Sequence, residues 1–132
     1  MRSRKTTLVR DMWEATQDGG AEAALALVEP QVEWVFHVAQ GRTFRSDELL
    51  AFLNSFDGER EILYGRPYRV VEQERFVVSS GSFRLTGPNG ITEHQIHFVG
   101  EWDEGGTLLR VRSFATFADA AKVAGLPPQT DS

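Results

Sequence analysis

The chain contains no cysteine. Disulfides, thiolate metal sites, iron–sulfur clusters and cysteine nucleophiles are excluded with it, and the absence suits a reducing compartment. Long apolar runs are missing as well. No stretch approaches the roughly 20 residues that a membrane-spanning helix needs, and the basic N-terminus is not followed by the apolar core of a secretion signal. No membrane partner is expected, and the expected location is cytoplasmic. Positive charge is outnumbered, with 14 Lys and Arg against 19 Asp and Glu and a formal net charge of -5. That balance disfavours a polyanionic partner. The clearest basic run, Arg2, Arg4 and Lys5, reads as part of a solvated tail over residues 1–6. Zinc-finger spacing, RNA-binding aromatic signatures and heptads are all lacking, so no nucleic acid is expected. No phosphate loop, HExxH helix or serine elbow occurs, and neither a metal nor a cofactor is expected.

Tyrosine is scarce, with two residues against nine Phe and three Trp. The rings are therefore mostly apolar, suited to cores and to the walls of pockets. At 132 residues with 41% hydrophobic content, the chain is long enough for one domain with a core of its own.

Helices come first. Leu8, Met12 and Ala15 recur at helical spacing, with Val9 and Trp13 beside them, and predict a helix over Thr7 to Asp18 with Thr6 or Thr7 as its cap. Gly19-Gly20 breaks it. A second short helix runs from Ala21 to Val28 and is closed by Pro30. Val32 to Val38 reads as a strand. Ser46 then caps a third helix with an apolar face of Leu49, Leu50, Phe52, Leu53 and Phe56. After Gly58 the period changes. Strands are predicted over Glu61 to Val71, Phe76 to Leu85, Thr92 to Trp102 and Leu108 to Phe117. Pro67 places the first of them at an edge or a bulge, and Asn89-Gly90 forms a tight turn. A last helical turn, Asp119 to Ala124, ends at Gly125, and residues 127–132 read as a tail. Helices followed by a meander of strands predict one α+β domain over residues 7–126, with helices on one face of a curved, mostly antiparallel sheet.

Three stretches carry a likeness. They are Val32-Glu33-Trp34 with the later Gly41-Arg42-Thr43-Phe44-Arg45-Ser46, the run Asp103 to Phe114, and the ending Asp119 to Leu126. On these the chain resembles the SnoaL-like branch of the nuclear transport factor 2-like (NTF2-like) superfamily. The resemblance implies a cone-shaped α+β barrel with helices closing a strongly bent sheet over a central cavity, and a homodimer. It also implies a histidine on the penultimate strand, where this chain has His94 and His97, and an acid at the end of the last strand, where it has Thr116. Thr116 cannot act as a carboxylate base. An isomerase-like base would fall on His37 or Val38, where an Asp would be expected.

The candidate site follows from the residues. Histidine titrates near neutrality and suits proton transfer; the three are His37, His94 and His97. An odd separation puts His94 and His97 on opposite faces of a regular strand. Arg110 and Arg112 are predicted to share a face with Leu108, Phe114 and Thr116, and either to pair with Glu93 or Glu101 or, for Arg112, to clamp an anionic ligand group. The expected catalytic set is His37, His97 and Arg112. The expected ligand wall is Trp13, Trp34, Phe52, Phe56, Tyr64, Tyr68, His94, Phe98, Phe114 and Thr116. Two functions stay open: cofactor-free cyclase, isomerase or hydratase chemistry on a small apolar molecule in a central pocket, and a non-catalytic ligand-binding or dimerisation module.

Overall fold

The computed structural model describes residues 3–37, 42–54 and 61–127. Helix α1 (Arg4–Leu25) is kinked where Gly20 takes φ 71, a left-handed conformation that glycine adopts without strain. The helical path is thus interrupted at the predicted Gly19-Gly20 break, with helical segments on either side of it. The helix starts three residues before Thr7, because the cap is Ser3. Its hydroxyl accepts from the Thr6 N–H at 3.1 Å, while the Ser3 and Thr6 hydroxyls both donate to Glu72. These bonds fasten the start of α1 to the sheet.

The sheet contains β1 (Glu33–Val35), β2 (Thr43–Phe44), β3 (Glu61–Tyr64), β4 (Arg69–Gln73), β5 (Phe76–Gly87), β6 (Gly90–Trp102) and β7 (Leu108–Phe114). Its order is β2-β1-β7-β6-β5-β3, with β4 also paired to β5. Pairing is antiparallel throughout except between β1 and β7. The sheet is curled but not closed. The strand expected over Glu61 to Val71 is two strands along one edge of β5. Pro67 has no N–H to offer a ladder, and around it the Gly65 and Tyr68 amides bond Ser82 O and Ser80 O at 2.8 and 2.9 Å.

Helix α2 (Ser46–Asn54) starts at Ser46, with Asp47 and Glu48 in its first turn. Ser46 is not the cap: the Arg45 N–H is held by Glu48 at 2.9 Å. Helix α3 (Phe117–Ala124) ends at Gly125, whose φ is 74. The predicted tight turn joins β5 to β6, with Gly90 at φ 112.

Alternation along β5 and β6 sorts the core into two. Val77, Ile96, Trp102 and Val111 pack with Trp13, Trp34 and Leu49 under α1 and α2. Val78 and Val99 pack with Ala120 and Ala124 of α3 on the opposite face. These are called the inner and outer faces.

Candidate functional site

Each face carries a cavity. The inner one, about 90 Å³, lies between α1 and the sheet, and its walls include Met12, Trp13, Trp34, Phe36, Leu49, Phe98, Trp102 and Val111. Two glycines make room for the rings. A Cβ on Gly81 would meet Trp13 Cη2 at 2.5 Å, and one on Gly100 would meet Trp102 Cζ3 at 2.7 Å. Phe98 meets Trp13 and Phe36 edge-on, with centroids 5.7 and 6.0 Å apart, the geometry aromatic quadrupoles favour. Buried indole N–H groups need acceptors. Trp13 Nε1 donates to Ser79 Oγ at 3.0 Å and Trp34 Nε1 to Ser46 Oγ at 3.3 Å. Among the described residues, no titratable side chain lines this cavity.

The outer cavity, about 810 Å³, lies where the start of β4 and the middle of β6 meet α3. Its polar walls are Tyr68, Arg69, Gln95, His97, Thr116 and Lys122, and its apolar walls include Phe117 and Leu126. His97 is 4% exposed. Its Nδ1 is 2.7 Å from Ser80 Oγ, and its ring meets Phe117 edge-on at 6.1 Å. Arg69 stacks over the same Phe117 ring, 4.1 Å from its centroid.

The residues expected in one pocket are therefore divided. Trp13, Trp34 and Phe98 line the inner cavity, and Tyr68, His97 and Thr116 line the outer one. His37 lines neither. It is half-buried at the end of β1, where its backbone N–H donates to Ser113 Oγ at 3.1 Å and its Nδ1 lies 2.7 Å from the same oxygen. His94 is exposed near the hairpin, stacked on Phe83 at 5.2 Å, with Nε2 3.0 Å from Thr92 Oγ1. The parity expected of His94 and His97 holds, since β6 pairs regularly with β5 through both. Phe114 packs under α3, and Phe52 packs against Phe44 at 4.9 Å. Phe56 and the side chain of Tyr64 lie outside the described residues.

Arg112 does not reach the inner cavity. Opposite Val99 and Val35, it sits on the outer face and bonds Glu101 at 3.3 Å. Arg110 bonds Glu33 at 3.0 Å. Leu108 departs from the face predicted for it. The register shifts between Glu101 and Trp102, so Trp102 pairs with Leu108 and both turn inward. A bulge of this kind breaks the alternation on which the expectation rested. Thr116, at the place of the missing acid, caps α3 by accepting from the Asp119 N–H at 3.2 Å.

Sequence reasoning missed Trp102 and Arg69. Trp102 was legible as the next inward position after Ile96, Phe98 and Gly100. Arg69 gave no local signal, because it reaches α3 only through the topology.

Burial lowers the pKa of both His37 and His97 from the usual histidine value. A hydrogen bond with the Ser113 backbone opposes the shift at His37. At His97 the positive charge of Arg69, and then that of His37, adds to burial. Both rings are neutral at pH 7. The unfolded chain binds these protons first as pH falls below about 6.5, so the folded state loses stability there until the depressed values are passed. Glu72, also depressed, contributes only at lower pH. The midpoint of urea unfolding is expected to fall between about pH 7.5 and 5.5, and His97→Asn to flatten that slope. An unchanged slope in the folded variant would contradict the assignment to His97.

No family model matches the chain, and no curated protein matches its sequence. Solved structures do match. An NTF2-like protein of unknown function from Burkholderia pseudomallei is 21% identical over 93% of this chain and 98% of its own, with a TM-score of 0.70. A SnoaL-like polyketide cyclase candidate from Shewanella denitrificans is 14% identical over 92% of this chain and 99% of its own, with a TM-score of 0.64. TerC, crystallised with polyporic acid, is 21% identical over 93% and 99%, with a TM-score of 0.66. At such identities the likeness is one of architecture, and the architecture shared by these proteins and this curled sheet under a kinked helix is the NTF2-like fold.

Proposed function

We propose that the chain binds a compact apolar molecule in the inner cavity, by burial and without proton transfer. One observation carries this reading: the described walls are apolar and aromatic, and the two buried indole donors already have serine partners. An apolar cavity excludes water and rewards an apolar occupant. Acid–base catalysis needs a titratable group within reach of the substrate, and His37, His97 and Arg112 stand elsewhere. A cavity of about 90 Å³ is smaller than the roughly 150 Å³ that admits benzene, so the occupant is a small ring or a short branched chain. That a protein of the same fold was crystallised with polyporic acid supports a ligand-binding role.

Cyclopropane and xenon, both smaller than benzene, are suitable probes. Saturable shifts are expected at the indole N–H resonances of Trp13, Trp34 and Trp102, and Ala24→Phe, which fills the cavity from α1, should abolish them. Absence of saturable shifts with both probes, or unchanged binding in a folded Ala24→Phe chain, would refute the reading.

A further inference from the structure

We propose that the outer cavity is a second binding site, for a small carboxylate whose charged end meets Arg69 and His97 and whose apolar body lies along Phe117 and Leu126. The chain is acidic overall, with a formal charge of -5. Yet among the described residues the charged side chains lining this cavity, Arg69 and Lys122, are both cations, and no described Asp or Glu lines it. Its volume of about 810 Å³ falls within the usual range of small-molecule sites, roughly 300–1,000 Å³.

The polar groups converge as donors. Arg69 is half-buried, stacked on Phe117, and forms no ion pair with a described carboxylate. A guanidinium has five N–H donors in a planar fork that matches a carboxylate, and stacking fixes the plane of that fork. His97 spends Nδ1 on Ser80, and Nε2 has no hydrogen bond to a described residue. In the tautomer that an anion would select, the Ser80 hydroxyl donates to Nδ1 and the neutral ring carries its proton on Nε2. Tyr68 donates to Gln95 Oε1 at 3.1 Å, which leaves the Gln95 amide N–H groups as donors. The Thr116 oxygen already accepts from Asp119 N–H, so its own proton is free to be given. Donors and cations with no described acid facing them select an anion. Phe117 and Leu126 supply the apolar surface that separates an organic acid from an inorganic ion.

Benzoate, with benzamide as its neutral isostere, tests the site by NMR titration of the whole chain. Benzoate should saturate, shifting the amides of Arg69, Gln95 and Thr116, and benzamide should bind at least about tenfold more weakly, as expected for loss of a charge-assisted pair. Arg69→Gln should weaken benzoate by roughly tenfold or more. Gln95→Glu, at an exposed position, should do the same by placing a negative charge at the mouth. Cyclopropane shifts at the inner-cavity indoles should persist in both variants, which separates this site from the first. Equal binding of benzoate and benzamide, no binding at about 10 mM (weaker than about −2.7 kcal/mol), or unchanged benzoate affinity in the two folded variants would overturn the proposal.

Discussion

Trp13→Ala is expected to destabilise the fold by about 3–5 kcal/mol, the usual cost of truncating a buried large ring. Trp13 is 5% exposed and is shared by three parts of the structure. It sits on α1, its ring lies over Gly81 of β5 and against Phe98 of β6, and its indole N–H donates to Ser79. Removing it loses ring burial, opens a void in a densely packed layer, and leaves a buried hydroxyl without its donor. Against a typical total of about 5–15 kcal/mol, such a loss brings the chain close to unfolding at ambient temperature. Urea unfolding followed by circular dichroism measures it. Trp13→Phe keeps part of the ring but not the N–H, and should fall between wild type and Ala. A loss below about 1 kcal/mol in the Ala variant would mean that α1 is held to the sheet by something other than this residue.

Much of the fold was legible because local rules and long-range packing agree. Helical spacing around Trp13, the Gly19-Gly20 break, the Asn89-Gly90 turn and the Gly125 cap are short-range signals, and each element formed where its residues placed it. The errors share one cause, which is that partners distant in sequence decide the outcome. Ser3 caps α1 in company with Glu72, 69 residues away, which the composition of the first turn does not reveal. Strand alternation placed His94 and His97 on opposite faces, as found, but misplaced Leu108, because the register shift at Glu101/Trp102 is a property of the β6–β7 pairing. The candidate site was legible only in its ingredients. Aromatic rings, three histidines and Arg112 were visible, but which face each one joins depends on register and on α3 crossing to the outer face. His97 and Arg112 lie on the other side of the sheet from the inner cavity, His37 lies past the end of β1, and His94 is exposed near the hairpin.

The two glycines of the inner face show how that cavity was made, and the tighter of the two tests it. A methyl group on Gly81 would stand 2.5 Å from Trp13 Cη2 and 2.7 Å from Cζ3, with the Arg66 carbonyl at 3.3 Å behind it. Neither neighbour yields easily. The ring is fixed by Ser79 and Phe98, and the carbonyl is backbone. Gly81→Ala is therefore expected to cost about 1–3 kcal/mol through overpacking, even though alanine suits a strand interior better than glycine does. Trp13→Ala removes the ring atoms that the methyl would strike. In that background Gly81→Ala should be nearly neutral, so a double-mutant cycle should return a coupling of about 1–3 kcal/mol. Additive costs would mean that the strand accommodates the methyl by moving away from α1, and the close approach of ring to backbone would then not be what shapes the cavity. If the coupling appears, the absence of a side chain at position 81 is what lets an indole approach the strand backbone and wall off the apolar space beneath the helix.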